Sequence, residues 1–461
     1  METARSCFWH YLDRLGRRER SPLGNRVIRL VWDWYGLAHA IRTRTRVRRL
    51  RGPPPGSRGP PPPAHFGEPG FYRGHVLNEL LPFWETHAPD PLHGGFIQHL
   101  DRHGVTTDPA GEKSSAMQAR FVYAFARGYL LENHPRHLEL ARRGLTFLTE
   151  AFWDHAEGGW YQSVERDGRP KVTSKPLFSQ AYALIGLLEF FRATGDRPTA
   201  ATIARMWDLL DHRAWDGAYG GYVERCGREW EIVSDLKTSC VHLDLLSAAI
   251  TTFDLFGTPQ DLNRVHRLAD VVVQRLRDPH SGLVLEVYSR DWRYNPAPVR
   301  DRVQVGHMLK GSRGLLEASR ITGDQTLAAA AYAQADAALR HAWDPIHGGF
   351  FSLISRTGRL ADSTKLWWHQ CEGLAALACL GAESGITRYR QSFLRLAEFC
   401  LSYFFDPEDG EWFTTCSAEG RVLDSAKGGR YKAAYHTVAA CLDAASSLER
   451  WPLGPADRRG F

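Results

Sequence analysis

The sequence predicts an all-α fold, an (α/α)6 barrel of six inner and six outer helices with short β-hairpins at one end. The main observation is a repeat, in which an Asp, a glycine-containing turn and a short strand-like run recur six times within 461 residues. The starting residues lie 64, 62, 62, 66 and 62 residues apart and are Asp90, Asp154, Asp216, Asp278, Asp344 and Asp406. Tandem units of this kind bury a continuous core by stacking on their neighbours. Six units of nearly equal length therefore favour a closed ring.

Each repeat predicts a hairpin followed by two helices. The clearest copy runs from Asp344 to Glu372 and reads DPIHGGFFSLISRTGRLADSTKLWWHQCE. Its turn glycines are expected to adopt positive φ, which glycine tolerates best. The first helix of each pair, as in residues 118–132, is apolar on most faces and is expected to lie inside. The second, as in residues 137–154, is amphipathic and is expected to lie outside.

The barrel is expected to span residues 65–451, with a basic, Pro-rich, partly disordered extension at 1–64 and a short tail at 452–461. The extension holds 14 Arg and four acidic residues, and its Arg run leads into a Pro/Gly-rich linker. One interpretation is a loosely docked arm, and the alternative is a surface that contacts an acidic partner or anionic lipid. Its apolar stretch, residues 27–41, is too short and too charged to span a bilayer.

Composition excludes several classes of function. The chain is 43% hydrophobic and 24% charged, as expected of a globular protein. Its net charge of +6 comes from the extension, so the barrel is mildly acidic and gives no indication of nucleic-acid binding. The eight cysteines are scattered without metal-ligand spacing. We therefore expect free thiols in a cytoplasmic protein, no metal site and no transmembrane segment. The sequence leaves open whether the protein forms a homodimer.

A second pattern concerns polar residues at the starts of the inner helices, about 25 to 30 residues after each repeat's Asp. One polar residue there is explained by a satisfied core group, but several converging from six units predict a pocket. The consecutive residues Trp367 and Trp368 project about 100° apart on a helix, so one of them is expected in the pocket wall. The candidates are Arg120, His242, His307, Lys310, Trp367, Trp368, Glu372 and His436.

Four segments carry a family resemblance. They are Gly306-His307 at a helix start, Lys365-Leu-Trp-Trp-His-Gln-Cys-Glu372, Lys427 through Tyr435-His436, and Gln118-Ala-Arg120. On these segments, residues 66–450 resemble the N-acylglucosamine 2-epimerase superfamily, which includes cellobiose 2-epimerase and mannose isomerase and has an (α/α)6 barrel. The resemblance implies that His307 and His436 are the acid/base pair. It also implies that Arg120, His242, one of the tandem tryptophans and Glu372 line a sugar site.

The chemistry implied is a cofactor-independent carbohydrate 2-epimerase or aldose–ketose isomerase reaction. Removing the C2 proton of an open-chain sugar and returning a proton to C2 or C1 needs groups that accept and donate near neutral pH, as imidazole does. The enediolate intermediate is negative, so Arg120 and His242 are expected to stabilise it. Trp368 is expected to stack on the sugar and Glu372 to accept from its hydroxyls. No step requires a metal or a redox cofactor.

Lys310 departs from the pattern of the resembled family, which commonly has His-x-x-Glu where this chain has His307-Met-Leu-Lys310. A lysine facing His307 is expected to lower the pKa of that imidazole. Alternatively, Lys310 pairs with Asp301 or Asp244, or binds an acidic substituent of the substrate. Two other functions therefore remain open. One is a glycoside hydrolase or lyase, which needs two opposed carboxylates, and the other is a non-catalytic sugar-binding relative.

Overall fold

The computed structural model describes residues 63–294 and 302–451, so most of the predicted extension and the C-terminal tail lie outside the described residues. After a 3₁₀ turn at Pro63–Gly67, the α-helices are α1 Pro69–His75, α2 Leu81–His87, α3 Ser115–Glu132, α4 Pro135–Phe147, α5 Leu177–Thr194, α6 Arg197–Leu209, α7 Ser239–Phe256, α8 Pro259–Val271, α9 Val305–Thr322, α10 Gln325–Ala342, α11 Trp367–Ser384, α12 Thr387–Tyr403 and α13 Tyr435–Arg450. The π-helical turn Val76–Leu80 joins α1 to α2 as one outer helix.

The inner helices α3, α5, α7, α9, α11 and α13 form a closed ring. Each contacts the next, and α13 contacts α3, while an outer helix packs against each of them. The prediction of an (α/α)6 barrel is therefore confirmed. The five inner helices α3 to α11 each end at a residue with positive φ, which reverses the chain into the following outer helix. Four of these residues are glycines, and the fifth is Asn133 with φ 56°.

Short antiparallel strands join the repeats at one end of the barrel. The strand before each inner helix pairs with the hairpin of the following repeat, as in Lys113↔Val164 and Lys175↔Cys226. The ring closes in the same way, because the N–H groups of Lys427 and Gly428 donate to the carbonyl oxygen of Leu100. The strands are β1 Lys113–Ser114, β2 Ser163–Val164, β3 Pro170–Val172, β4 Lys175–Pro176, β5 Arg225–Cys226, β6 Leu236–Thr238, β7 Val287–Ser289, β8 Arg302–Gln304, β9 Leu353–Ser355, β10 Leu360–Asp362, β11 Lys365–Leu366, β12 Thr415–Cys416 and β13 Val422–Asp424.

The repeated aspartates hold neighbouring repeats together through buried ion pairs. Asp90 accepts from Lys113 of its own repeat at 3.0 Å and from Arg166 of the next repeat at 2.8 Å. Corresponding arginines bind Asp154, Asp216 and Asp278. Since a buried carboxylate needs such partners to stay charged, the aspartates that mark the repeat also explain its geometry.

The same ion pair closes the ring, because Arg102 of the first repeat binds Asp406 of the last repeat at 2.6 Å. Replacing Arg102 by Ala is expected to lower the free energy of unfolding by about 1.5–3 kcal/mol, since it removes charged hydrogen bonds from a buried carboxylate. Chemical denaturation measures the change. Arg169→Ala is the control, because Arg169 pairs with Asp167 on the surface, so its loss should have a much smaller effect. Equal effects of the two substitutions would contradict the closing role.

Among the described residues, one helix is long and apolar enough to be considered for a membrane span, namely α7. It is an inner helix of the barrel, and its neighbours α5 and α9 pack against it. Its apolar character is that of a core helix. Seven of the cysteines lie in the described part of the chain, and all seven are free thiols.

Candidate active site

The hairpin end of the barrel brings His307 and His436 around one indole ring. The Trp368 ring centroid lies 5.0 Å from that of His307 and 5.8 Å from that of His436. The three residues come from the first turns of α9, α11 and α13. Gly306 permits this approach, because a Cβ at that position would lie 2.3 Å from Cζ3 of Trp368. The residues predicted as the acid/base pair are therefore neighbours of a single half-buried tryptophan.

His307 has a carboxylate partner that the sequence did not predict. Its Nδ1 lies 2.6 Å from Oε2 of Glu286 in the fourth hairpin. Glu286 is itself oriented, because it accepts from the hydroxyl of Ser239 at 2.8 Å and from the N–H of Gln304 at 2.9 Å. Burial lowers the pKa of His307, but the adjacent Glu286 carboxylate outweighs burial and raises this pKa above its usual 6.5.

Glu286 occupies a second position that the repeats share, and this pattern could have identified it. The residue eight positions after each repeat's Asp is polar in all six repeats. The six residues are Gln98, Gln162, Glu224, Glu286, Ser352 and Thr414. In the last five, the backbone carbonyl accepts from the first N–H of the preceding repeat's inner helix, as when Ser239 N–H donates to Glu286 O. This contact places these five residues beside the starts of the inner helices.

His436 also has a carboxylate partner, but its electrostatic state differs. Its Nδ1 lies 3.2 Å from Oε1 of Glu372. Burial lowers the pKa of His436 to about 4. Burial alone would raise the pKa of Glu372, but the bond from His436 and the charge of Lys310 lower it to about 2. The pair is therefore a neutral imidazole beside an ionised carboxylate, and Nδ1–H donates to Glu372, so Nε2 keeps its lone pair.

Lys310 forms a buried ion pair with Asp244 of the neighbouring inner helix. This was one of the predicted alternatives, whereas Asp301 lies outside the described residues. The ammonium also lies 5.5 Å from the Tyr182 ring and 6.0 Å from the Tyr435 ring. The expected lowering of the His307 pKa by Lys310 is present, but the net shift of this pKa is upward. Lys310 does lower it, but less than Glu286 raises it.

Arg120 is buried and stacks on aromatic rings rather than pairing with a carboxylate. Its Cζ lies 4.0 Å from the Tyr182 ring centroid and 5.9 Å from that of Tyr435. Its Nη1 donates to the carbonyl oxygen of Tyr431 at 2.5 Å. Its Nε has no hydrogen-bond partner among the described residues. The guanidinium thus keeps one N–H donor that is not used within the described residues. It packs on the same two tyrosines that lie near Lys310.

His242 is placed differently from the other candidates. Its Nε2 accepts from the N–H of Tyr222 at 2.9 Å, and its Nδ1 lies 2.8 Å from the carbonyl oxygen of Thr238. Both ring nitrogens are therefore engaged with backbone. The fourth residue of three other inner helices holds its hairpin in the same way, and these residues are Gln118, Gln180 and Gln370. This position fastens the hairpin to the helix, and we leave His242 out of the site proposed below.

The tandem tryptophans divide between two environments. Trp367 is buried, with its ring 6.2 Å from that of His436 and 5.5 Å from Nζ of Lys432. Trp368 is half-buried, and its ring centroid lies within 6 Å of those of both imidazoles. Of the two, Trp368 is the one placed to face a ligand.

Comparison with known proteins identifies relatives of this chain. Residues 95–440 match the family model described as N-acylglucosamine 2-epimerase (GlcNAc 2-epimerase). The chain is 26% identical over 382 residues to a cellobiose 2-epimerase of Bacteroides fragilis, which covers 80% of this chain and 96% of that relative. It is 29% identical over 381 residues to the N-acylglucosamine 2-epimerase of Mus musculus, covering 79% of this chain and 88% of that relative.

A solved structure supports the same relationship. The structure of cellobiose 2-epimerase from Spirochaeta thermophila superposes with a TM-score of 0.75 at 26% identity, covering 83% of this chain and 96% of that one. The family model spans most of the chain, including both histidines and the Trp368 segment. The chain belongs to the N-acylglucosamine 2-epimerase family.

Proposed function

We propose that this protein is a cofactor-independent carbohydrate 2-epimerase or aldose–ketose isomerase that acts on a reducing sugar by proton transfer at C2. The observation that carries the proposal is the pair of imidazoles around Trp368, each backed by its own carboxylate. The relatives named cellobiose 2-epimerase and N-acylglucosamine 2-epimerase support the reaction class. The substrate is a sugar in its open-chain form, because only that form has a carbonyl that acidifies the C2 proton.

We assign the first proton transfer to His436. Its imidazole is neutral at pH 7 because burial lowers its pKa to about 4, so Nε2 can accept the C2 proton. The imidazolium formed would lie beside the ionised Glu372, which stabilises the charge. As C2 loses its proton, the electron pair of the C–H bond forms the C1–C2 double bond of an enediolate.

His307 then returns a proton from the other side of the sugar. The raised pKa keeps more of its imidazole protonated near neutral pH, which suits a donor. Protonation of the opposite face of C2 gives the epimer, whereas protonation of C1 gives the ketose. In the reverse reaction the two histidines exchange roles.

Arg120 and Trp368 complete the proposed site. The unpartnered Nε of Arg120 is a donor for the enediolate oxygen, and a well-aimed donor of this kind contributes about 3–4 kcal/mol in oxyanion sites. The half-buried face of Trp368 suits the C–H face of a pyranose or of its open chain. We assign Lys310 a structural role, in contact with the tyrosines and Asp244, because Asp244 already balances its charge.

The site does not favour the alternative of a glycoside hydrolase. The two acids expected to flank a scissile bond both have cationic or imidazole partners, Asp244 with Lys310 and Glu372 with His436. Both carboxyl groups are therefore engaged within the chain, whereas hydrolysis requires two carboxyl groups that face the scissile bond.

Proton exchange in D2O separates the functions. Mannose, glucose, N-acetylmannosamine and cellobiose are incubated with the protein and followed by NMR. We expect loss of the C2 proton signal of at least one sugar, together with formation of its epimer or ketose. Release of a reducing sugar from a glycoside without C2 exchange would overturn the proposal in favour of hydrolysis. Absence of both would favour a non-catalytic relative.

The pH profile is expected to depend on Glu286. Because this carboxylate raises the pKa of His307, Glu286→Gln should lower that pKa. The protonated donor is then lost at lower pH, so the alkaline limb of kcat/KM should shift to lower pH, while the acidic limb set by His436 stays in place. An unchanged alkaline limb would contradict the proposed role of Glu286. Glu112→Gln is the control, because Glu112 pairs with Lys171 in the first repeats, away from both histidines.

We also propose the cytoplasm as the compartment, since the seven free thiols suit a reducing environment. A homodimer and an acidic contact of the basic arm stay predictions, and the arm lies outside the described residues.

A further inference from the structure

A cluster of metal-ligating side chains lies at the far end of α3 from the hairpins. The chain turns there between an inner and an outer helix within two residues, Asn133 with positive φ and His134 at the start of α4. This tight turn brings together side chains from both helices. Glu132, His134 and His137 each offer one ligand atom, and these atoms all lie within 4.8 Å of one another. Since α3 has 18 residues, the cluster is roughly 25 Å from the sugar site.

His137 is held as a metal ligand would be. Its side chain is only 4% exposed, and Nε2 forms an ion pair with Glu85 of α2. A proton on Nε2, facing Glu85, leaves the lone pair on Nδ1. Nδ1 is buried without a hydrogen-bond partner and lies 3.3 Å from Oε1 of Glu132. In metal sites, a carboxylate behind the histidine commonly fixes the tautomer in this way.

The ring of His137 is fixed by its packing. Phe125 stacks on it at 6.4 Å between centroids. Gly128 of α3 lies directly alongside, because a Cβ at that position would be 3.1 Å from Nδ1 of His137. The buried ligand is therefore rigid, whereas Glu132 and His134 are exposed and able to adjust.

A second cluster of acidic residues in the described part of the chain differs, because its carboxylates already have a cationic partner. The ligand atoms of Asp406, Glu408 and Asp409 also lie within 4.8 Å of one another, but Arg102 binds all three residues. Within the described part of the chain, neither lysine nor arginine forms an ion pair with Glu132, and the nearby Arg136 is turned to Glu139. The cluster at the α3–α4 turn thus has anionic and imidazole donors without a resident cation side chain.

We propose that Glu132, His134 and His137 bind one divalent transition-metal ion of the Zn²⁺ class, separate from the sugar site. Mixed imidazole and carboxylate donors suit this class of ion. Ligand distances of about 2.0–2.2 Å would draw the donor atoms to roughly 3.3–3.5 Å from one another, a movement left to the two exposed side chains. Water would complete the coordination. The ion would fasten the first inner helix to the outer helices α2 and α4.

Zinc titration of the metal-free, full-length protein tests the site, with a chromophoric chelator as competitor. We expect one equivalent to bind to the wild-type protein and to raise its Tm. His134→Ala and Glu132→Gln change exposed residues, so both should fold, lose this equivalent and lose the Tm shift. Glu139→Gln is the matched control on the same turn and should bind as the wild type does. Identical isotherms for wild type and His134→Ala would overturn the proposal.

Two further measurements define the coordination. Glu85→Gln should weaken zinc binding by about 10-fold or more, as expected for the carboxylate behind a ligating histidine. Unchanged affinity in this variant would contradict the role assigned to the Glu85 carboxylate. Co²⁺ in place of Zn²⁺ should give visible absorption bands that His134→Ala removes. Bands that persist in His134→Ala would place the ion elsewhere and overturn the site.

Discussion

Replacing His436 by Gln is expected to lower the rate of C2 deuterium exchange by about 10²–10⁴-fold, the usual contribution of a positioned acid or base. The glutamine amide can still donate to Glu372, so the buried carboxylate keeps a partner and the fold should persist. His307→Gln should cause a loss of similar size, since Glu286 likewise keeps a donor. The measurements are the NMR exchange rate and the thermal unfolding midpoint of each variant.

His347→Gln is the control for these substitutions. His347 belongs to the Gly-Gly turn of the fifth repeat and is exposed, so its replacement should change neither exchange nor stability. Near wild-type exchange in the His436 variant would contradict its role as the base. Loss of folding in either histidine variant would show that the ring is needed for structure instead.

Replacing Lys310 by Met is expected to destabilise the fold by about 3–5 kcal/mol. Lys310 and Asp244 are both nearly inaccessible to solvent, and removing one partner leaves an unpaired charge in the core. A second replacement, Asp244→Leu, should restore most of the lost stability, because a buried ion pair can be exchanged for apolar side chains at little net cost. Urea denaturation of the two single variants and the double variant measures this coupling.

Lys310→Glu distinguishes the expectation based on the Asp244 ion pair from the expectation based on the family pattern. The sequence alone suggests that a glutamate three residues after His307 would restore the pattern of the resembled family. In this structure it would instead place a carboxylate beside Asp244 and near Glu372, so the variant should be less stable than Lys310→Met. A Lys310→Glu variant as stable as the wild type would show that the Asp244 pair does not determine the side chain at 310.

The repeat allowed the barrel to be predicted from sequence, because equal spacing of the six Asp residues reports the geometry of a ring directly. The neighbourhood of His307, Trp368 and His436 followed from their equivalent places at the starts of inner helices. The cross-repeat pairs between Asp and Arg were not predicted, since each joins a turn to the turn of the next repeat. The sequence does show that an Arg recurs in the second turn of the first five repeats, and that Ala418 takes its place in the sixth.

Glu286 and His242 show where position alone was insufficient. Glu286 lies on a hairpin 21 residues before His307, so helix periodicity could not pair them. His242 was predicted to line the sugar site from its shared place in the repeat and from the family resemblance, and in the structure it holds hairpin backbone as three equivalent glutamines do. Comparing equivalent positions across the repeats would have identified Glu286 as a candidate.

A structure of the protein with a bound open-chain sugar would show whether the two imidazoles flank the reacting carbon. The quantities to measure are the distances from C2 of the sugar to the Nε2 atoms of His307 and His436. We expect both distances to be about 3–3.5 Å, with the two atoms on opposite faces of C2, as proton transfer requires. A sugar bound with C2 next to only one imidazole, or bound away from Trp368, would contradict this expectation.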